Sequence, residues 1–169
     1  MSNPVRENVP VLLVPSAWGV VGAVHVGMVT ERTLMIAHVV MAVMLFLFAV
    51  TSWKEMESGV LRVWRAVLAV GFFVTSAGAF GLYGVPLSDV LLSVALYGWM
   101  LLPGVGLAYT ARESDAPLAY AVGALLSFVG VVVYTAAFVF PELPHLELTA
   151  VALAGVGQTV GIADAVYRY

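Results

Sequence analysis

The sequence predicts an all-α, polytopic transmembrane bundle, most simply of six helices with both ends on the cytoplasmic side. Three observations lead there. Six apolar segments are each long enough to cross a bilayer, polar or Gly/Pro-containing breaks separate them, and the basic residues gather on one side. The composition agrees: 62% of the 169 residues are hydrophobic and 10% are charged, where a soluble domain carries about 25% charged residues. A soluble protein this apolar could not cover its surface with polar groups. Lipid tails accept Val, Leu and Phe on the outside, so the bilayer is the expected surrounding and the whole chain, 1–169, is expected to be one integral membrane domain.

The segments run roughly 9–29, 33–53, 62–84, 88–109, 118–140 and 148–167. Each has about 20 residues, which spans about 30 Å as a helix at about 1.5 Å per residue. In hydrocarbon the backbone must satisfy its own hydrogen bonds, and transmembrane strands are about half as long, so the segments are read as helices. The first is the weakest, because Pro10 and Pro15 interrupt its start. If it lies in the interface or re-enters, the spans number five.

The breaks have turn chemistry. Thr30-Glu31-Arg32-Thr33 is a short polar turn, Lys54 to Gly59 is charged and ends in Gly, and Gly84-Val85-Pro86 is tight, with Ser88 placed as an N-cap. Asp89 follows at a helix start, where the macrodipole favours a carboxylate. Arg112 to Pro117 ends in Pro at a helix start, and Pro141 to Glu147 holds two Pro and two Glu. Pro103-Gly104, with Gly106 beyond, predicts a kink in the fourth helix.

Six spans put Arg6, Lys54, Arg62, Arg65, Arg112 and Arg168 on one side and Arg32 on the other. That is an N-in, C-in bias under the positive-inside rule, and five spans would leave the bias equally clean. Trp53 and Trp64 flank the basic second loop, where an aromatic belt belongs. The expected location is the cell membrane, multi-pass. Arg in preference to Lys, with many Val, Ala and Gly, is the compositional habit of GC-rich prokaryotes.

Several function classes drop out. The chain has no Cys, so disulfides, thiolate metal sites and thiol nucleophiles are excluded. A net charge of -3 with no basic patch excludes nucleic acid as a partner. The lone Lys54 lies at a helix end, which excludes a buried Schiff base. No phosphate-loop, metalloprotease or nucleophile-elbow pattern is present, so an enzyme is not the favoured reading.

The patterned chemistry that remains is histidine and methionine. His25 and His38 stand about six residues either side of a turn centred between Glu31 and Arg32, and Met28 and Met35 are symmetric about the same centre. In an antiparallel hairpin this gives a rung of two imidazoles beside a rung of two thioethers, about 10 Å below the outer end. Thioether and imidazole suit copper, and two histidines can ligate a b-type haem. Neighbouring helices lie about 8–10 Å apart, which is narrow for a porphyrin, so haem would need a third element. His145, beside Glu142 and Glu147, could serve only if its loop folds inward. The plain reading is that each histidine bonds a backbone carbonyl, Thr30, Thr33 or Glu31, and that Met fills gaps.

Gln158 and Asp164 on the last segment outline a polar path that a small transporter or channel could use, with Asp164 and Arg168 otherwise spaced for an interfacial ion pair. Gly19, Ala23 and Gly27, Ala77 and Gly81, and Gly157 and Gly161 are spaced four apart, which lets helices approach closely, either within the bundle or against a second copy or a membrane-complex partner. The favoured function is a metal- or haem-associated, redox-linked binding protein or accessory subunit with its site near the outer face. The alternative is a small transporter or channel with a proton-linked route through His and carboxylate.

Overall fold

The structure, a computed structural model, describes residues 4–168, and the side chains of 11–167. Six helices follow one another: α1 (Pro4–His25), α2 (Glu31–Ser52), α3 (Gly59–Leu82), α4 (Ser88–Glu113), α5 (Leu118–Val139) and α6 (Leu146–Arg168). No strand occurs among the described residues. The helices from α2 to α6 are each long and apolar enough to cross a membrane, and α1 contributes a shorter apolar stretch, Val11–His25. The side chains of Arg6 and Arg168, which the charge bias uses, lie outside those described.

The helix ends refine the expected boundaries. α1 begins at Pro4, whose missing N–H costs nothing at the first helical position, and Pro10 and Pro15 do not break it. It stops at His25, four residues earlier than expected. Gly27 adopts φ +73°, the Gly27 N–H donates to the Val24 carbonyl at 2.9 Å, and the Met28 N–H donates to the Ala23 carbonyl at 2.8 Å. This is a Schellman stop, which glycine permits without strain. Gly27 therefore does not continue the helical stripe of Gly19 and Ala23. α2 opens on Thr30, whose hydroxyl accepts from the Thr33 N–H at 3.3 Å. Ser88 does not cap α4 from outside: it is the first helical residue, and its hydroxyl donates back to the Val85 carbonyl at 2.6 Å.

The chain forms two compact units. One contains α1 with its turn to Met28, and everything from Pro103 onward; the other is Val29–Leu102. The division falls inside α4, at Pro103, through which the helix continues to Glu113.

In the first unit α6 packs on both α5 and α1. The α5–α6 contact is made by glycine. A methyl group built on Gly123 would come to 2.5 Å of the Gly157 carbonyl oxygen, and one on Gly157 to 2.7 Å of the Gly123 oxygen. Only glycine on both helices allows that approach, which is how membrane helices gain contact where lipid supplies no hydrophobic drive. Gly161 receives Leu107 from the last part of α4. On the α1 side the Trp18 indole N–H donates to Gln158 Oε1 at 2.9 Å, within a buried pair.

In the second unit α2 lies on α3. The buried positions of α3 include Val67, Gly71, Val74, Gly78 and Gly81, spaced at four and three along one face. That face takes the first part of α4: Trp99 lies over Gly71, Ala95 over Gly78 and Leu92 over Gly81. The Trp99 indole N–H donates to Thr75 Oγ1 at 2.9 Å. Hydroxyls elsewhere bond the carbonyl four residues back, as Ser127 does to Gly123 and Thr110 to Gly106, and so enter apolar surroundings already paired.

Candidate functional site

His25 is the last residue of α1, held at the helix end by the glycine stop that follows. Its Nδ1 lies 2.8 Å from the Val21 carbonyl oxygen. A carbonyl only accepts, so Nδ1 carries the proton, and in the neutral ring Nε2 presents a lone pair. The Tyr134 hydroxyl stands 3.1 Å from Nε2 and donates to it. The two rings meet edge to face, with centroids 5.9 Å apart at 87°, and Tyr134 in turn meets Phe138 one helical turn on. Tyr134 is buried; His25 is half-buried. The imidazole is therefore fixed in tautomer and orientation from α1 and α5.

The half-buried side of His25 opens into a pocket of about 300 Å³. It is closed by the end of α5, by the segment 141–145 and by the start of α6, and its polar wall consists of His25, His145 and Glu147. Pro141 and Pro144 stiffen the segment, and His145 has φ +69°, a left-handed conformation uncommon for a side chain other than Gly or Asn. That backbone turn puts an exposed imidazole on the same pocket as His25. The segment 141–145 stays exposed, and His145 reaches this pocket from its outer wall.

His38 is placed differently. It is the eighth residue of α2, and its Nδ1 donates to the Leu34 carbonyl at 2.9 Å. Its Nε2 edge lies against α3, where a methyl group on Gly78 would come to 2.7 Å. The chain turns at residues 26–30, not between Glu31 and Arg32, so the symmetric counting that paired His25 with His38 and Met28 with Met35 starts from a point inside α2. Met28 is strongly exposed in the turn after α1, and Met35 is half-buried on α2. Glu31 is exposed in the first turn of α2. Gln158 is buried against Trp18, and Asp164 is half-buried toward the end of α6. Among the described residues no three His, Asp or Glu side chains converge to hold a metal ion.

Two residues of this region carried no signal of their own in the sequence. Tyr134 is one aromatic in an apolar run, and its role follows only from the α5 register. Trp18 looks like an interfacial aromatic, but it seals Gln158. A second concavity begins beside the first: a groove of about 610 Å³ along α1 and α6, lined almost wholly by apolar and small side chains. Val26 and Leu148 line both. Comparison with protein-family models, with curated proteins and with solved structures gave no match, so what can be said of function rests on this geometry.

Proposed function

We propose that this chain is a membrane-embedded, redox-linked binding protein, acting as such or as an accessory subunit of a membrane complex, with its ligand site in the His25 pocket. The observation that carries the reading is the His25 imidazole, fixed at Nδ1 by the Val21 carbonyl and at Nε2 by Tyr134, facing a pocket that also holds His145 and Glu147. Ionisable groups in a membrane bundle mark function by default. A histidine whose far nitrogen is tied to a carbonyl is oriented in the way that ligating histidines are. The charge bias puts this end of the bundle outside the cell membrane.

Copper or b-type haem would be held by Nε2 of His25 only with the Tyr134 hydroxyl displaced from it. A small transporter or channel is the less supported alternative, since Gln158 spends its carbonyl on Trp18 instead of lining an open route.

The test is a visible spectrum with elemental analysis of the detergent-purified chain beside His25→Ala. A haem band, or copper near one per chain, lost in the variant, establishes the cofactor form of the reading. A colourless, metal-free chain removes metal and haem and leaves an organic ligand for the pocket.

A further inference from the structure

The His25 pocket and the groove beside it share Val26 and Leu148 in their linings, and their chemistry changes from one to the other. The pocket has two imidazoles and a carboxylate; the groove offers Gly19, Gly22, Val151 and Gly155, with the Thr159 hydroxyl turned to the Gly155 carbonyl at 2.7 Å. From Val26 to Pro15 on α1, and from Leu148 to Val160 on α6, the groove extends about 17–18 Å at about 1.5 Å per residue.

From this we infer that pocket and groove form one site for a neutral, single-tailed amphiphile with a hydrogen-bonding ring as its head, of the polyprenyl quinone or quinol class. The inference rests on the reading of the His25 pocket as a ligand site and names the ligand.

Three features choose this occupant. First, the head pocket contains no Lys or Arg, and it does contain Glu147. A phosphate would meet a like charge there and no cation. A quinol hydroxyl instead donates to the Glu147 carboxylate and a quinone carbonyl accepts from a ring N–H of His145, while the His25 ring, both nitrogens engaged by Val21 and Tyr134, forms the wall the head packs against. Second, the groove is lined by apolar and small side chains along its length, and the Thr159 hydroxyl on it is already turned to the Gly155 carbonyl, which suits a tail without polar groups. Third, the space is left by glycine at a place where packing does not require it. A methyl group on Gly19 would meet nothing within 4 Å, whereas one on Gly155 would come to 2.9 Å of Trp18. Gly155 serves the helix contact; Gly19 leaves the groove wide.

Gly19 therefore gives a block that spares the fold. The chain, stripped of lipid and reconstituted in phosphatidylcholine nanodiscs, is titrated with a benzoquinone carrying a three-isoprene tail. Binding is followed by quenching of the tryptophan fluorescence, since Trp18 lines the groove. The same head without a tail and the same tail without a head are the comparators. The tailed quinone should bind at least tenfold more tightly than either. Gly19→Leu and Val26→Phe should each weaken it at least tenfold with the melting temperature unchanged, and His25→Ala should erase its advantage over the headless tail.

Equal binding of the headless tail makes the groove a plain lipid cleft and overturns the inference. A change below twofold in both Gly19→Leu and Val26→Phe overturns it as well. If the tailless head binds as tightly as the tailed quinone in a His25-dependent way, the pocket reading stands and only the tail's place in the groove falls. If His25→Ala alters nothing for any probe, both fall.

Discussion

His25 and His38 start from the same local bond and end in different surroundings. Each sends Nδ1 to the carbonyl four residues back, at 2.8 and 2.9 Å, which is how a polar ring enters an apolar helix without an open donor. The second nitrogen separates them. His25 ends its helix, meets a buried hydroxyl and faces a pocket; His38 lies inside its helix and is pressed onto a glycine of α3. A histidine in a membrane helix is thus not a site by itself. The proposed site lies where the chain leaves space in front of the ring, as the pocket lined by His25, His145 and Glu147 does.

The same contrast holds for the units that carry them. α6, in the first unit, has 39% of its most apolar window buried; α2, in the second, has 6%. α2 presents Ile36, Val39, Val40, Val43, Phe46 and Leu47 outward, a face that lipid tails cover at no cost. The first unit spends its small residues on both a close α5–α6 contact and an open α1–α6 groove, while the second spends them on sealing α3 against its neighbours.

Substitutions at glycine should show this difference most strongly. Gly78→Leu drives a side chain into His38 and Ala95, and overpacking of that kind costs about 3 kcal/mol; Gly19→Leu should cost nothing measurable. Unfolding midpoints of the two variants in mild detergent check the pair, and equal losses would show that the groove is a packed surface. Next come the indoles. Trp18→Phe removes the donor to the buried Gln158 carbonyl and should cost about 2 kcal/mol. Trp99→Phe should cost about half as much, because Thr75 can still bond its own helix backbone. Tyr134→Phe frees Nε2 of His25 and should lower stability by about 1 kcal/mol, with the edge-to-face contact kept; a nitrogen-15 shift of the imidazole reports the lost bond. The smallest effect belongs to Arg65→Ala. Its guanidinium lies 4.6 Å from the Trp53 ring centroid and donates to the Trp53 carbonyl at 3.3 Å. In an interfacial setting this is worth about 0.5–1 kcal/mol.

The membrane architecture was legible because length and apolarity act over whole segments. Runs of about 20 apolar residues broken by Thr30, Gly59, Gly84 and Pro117 left little freedom, and the helices follow those breaks within a few residues. The site was less legible because it depends on single residues. Gly27 stands four residues from Ala23, as a helical stripe would, yet it takes the left-handed conformation and ends the helix, which moves the turn away from the centre between Glu31 and Arg32. The choice between the two histidines lay in the register of α5 and α3, in which neighbour is Tyr134 and which is Gly78, and one sequence carries no periodicity for that. His145 depended on a backbone turn at a residue that seldom adopts it.

Native mass spectrometry of the chain released from mild detergent, run on wild type, His25→Ala and His38→Ala with elemental analysis of the same samples, tests the central claim most directly. The account predicts a bound species on the wild type that is lost from His25→Ala and retained by His38→Ala. A species retained equally by both variants, or lost equally from both, would contradict the assignment of the site to the His25 pocket.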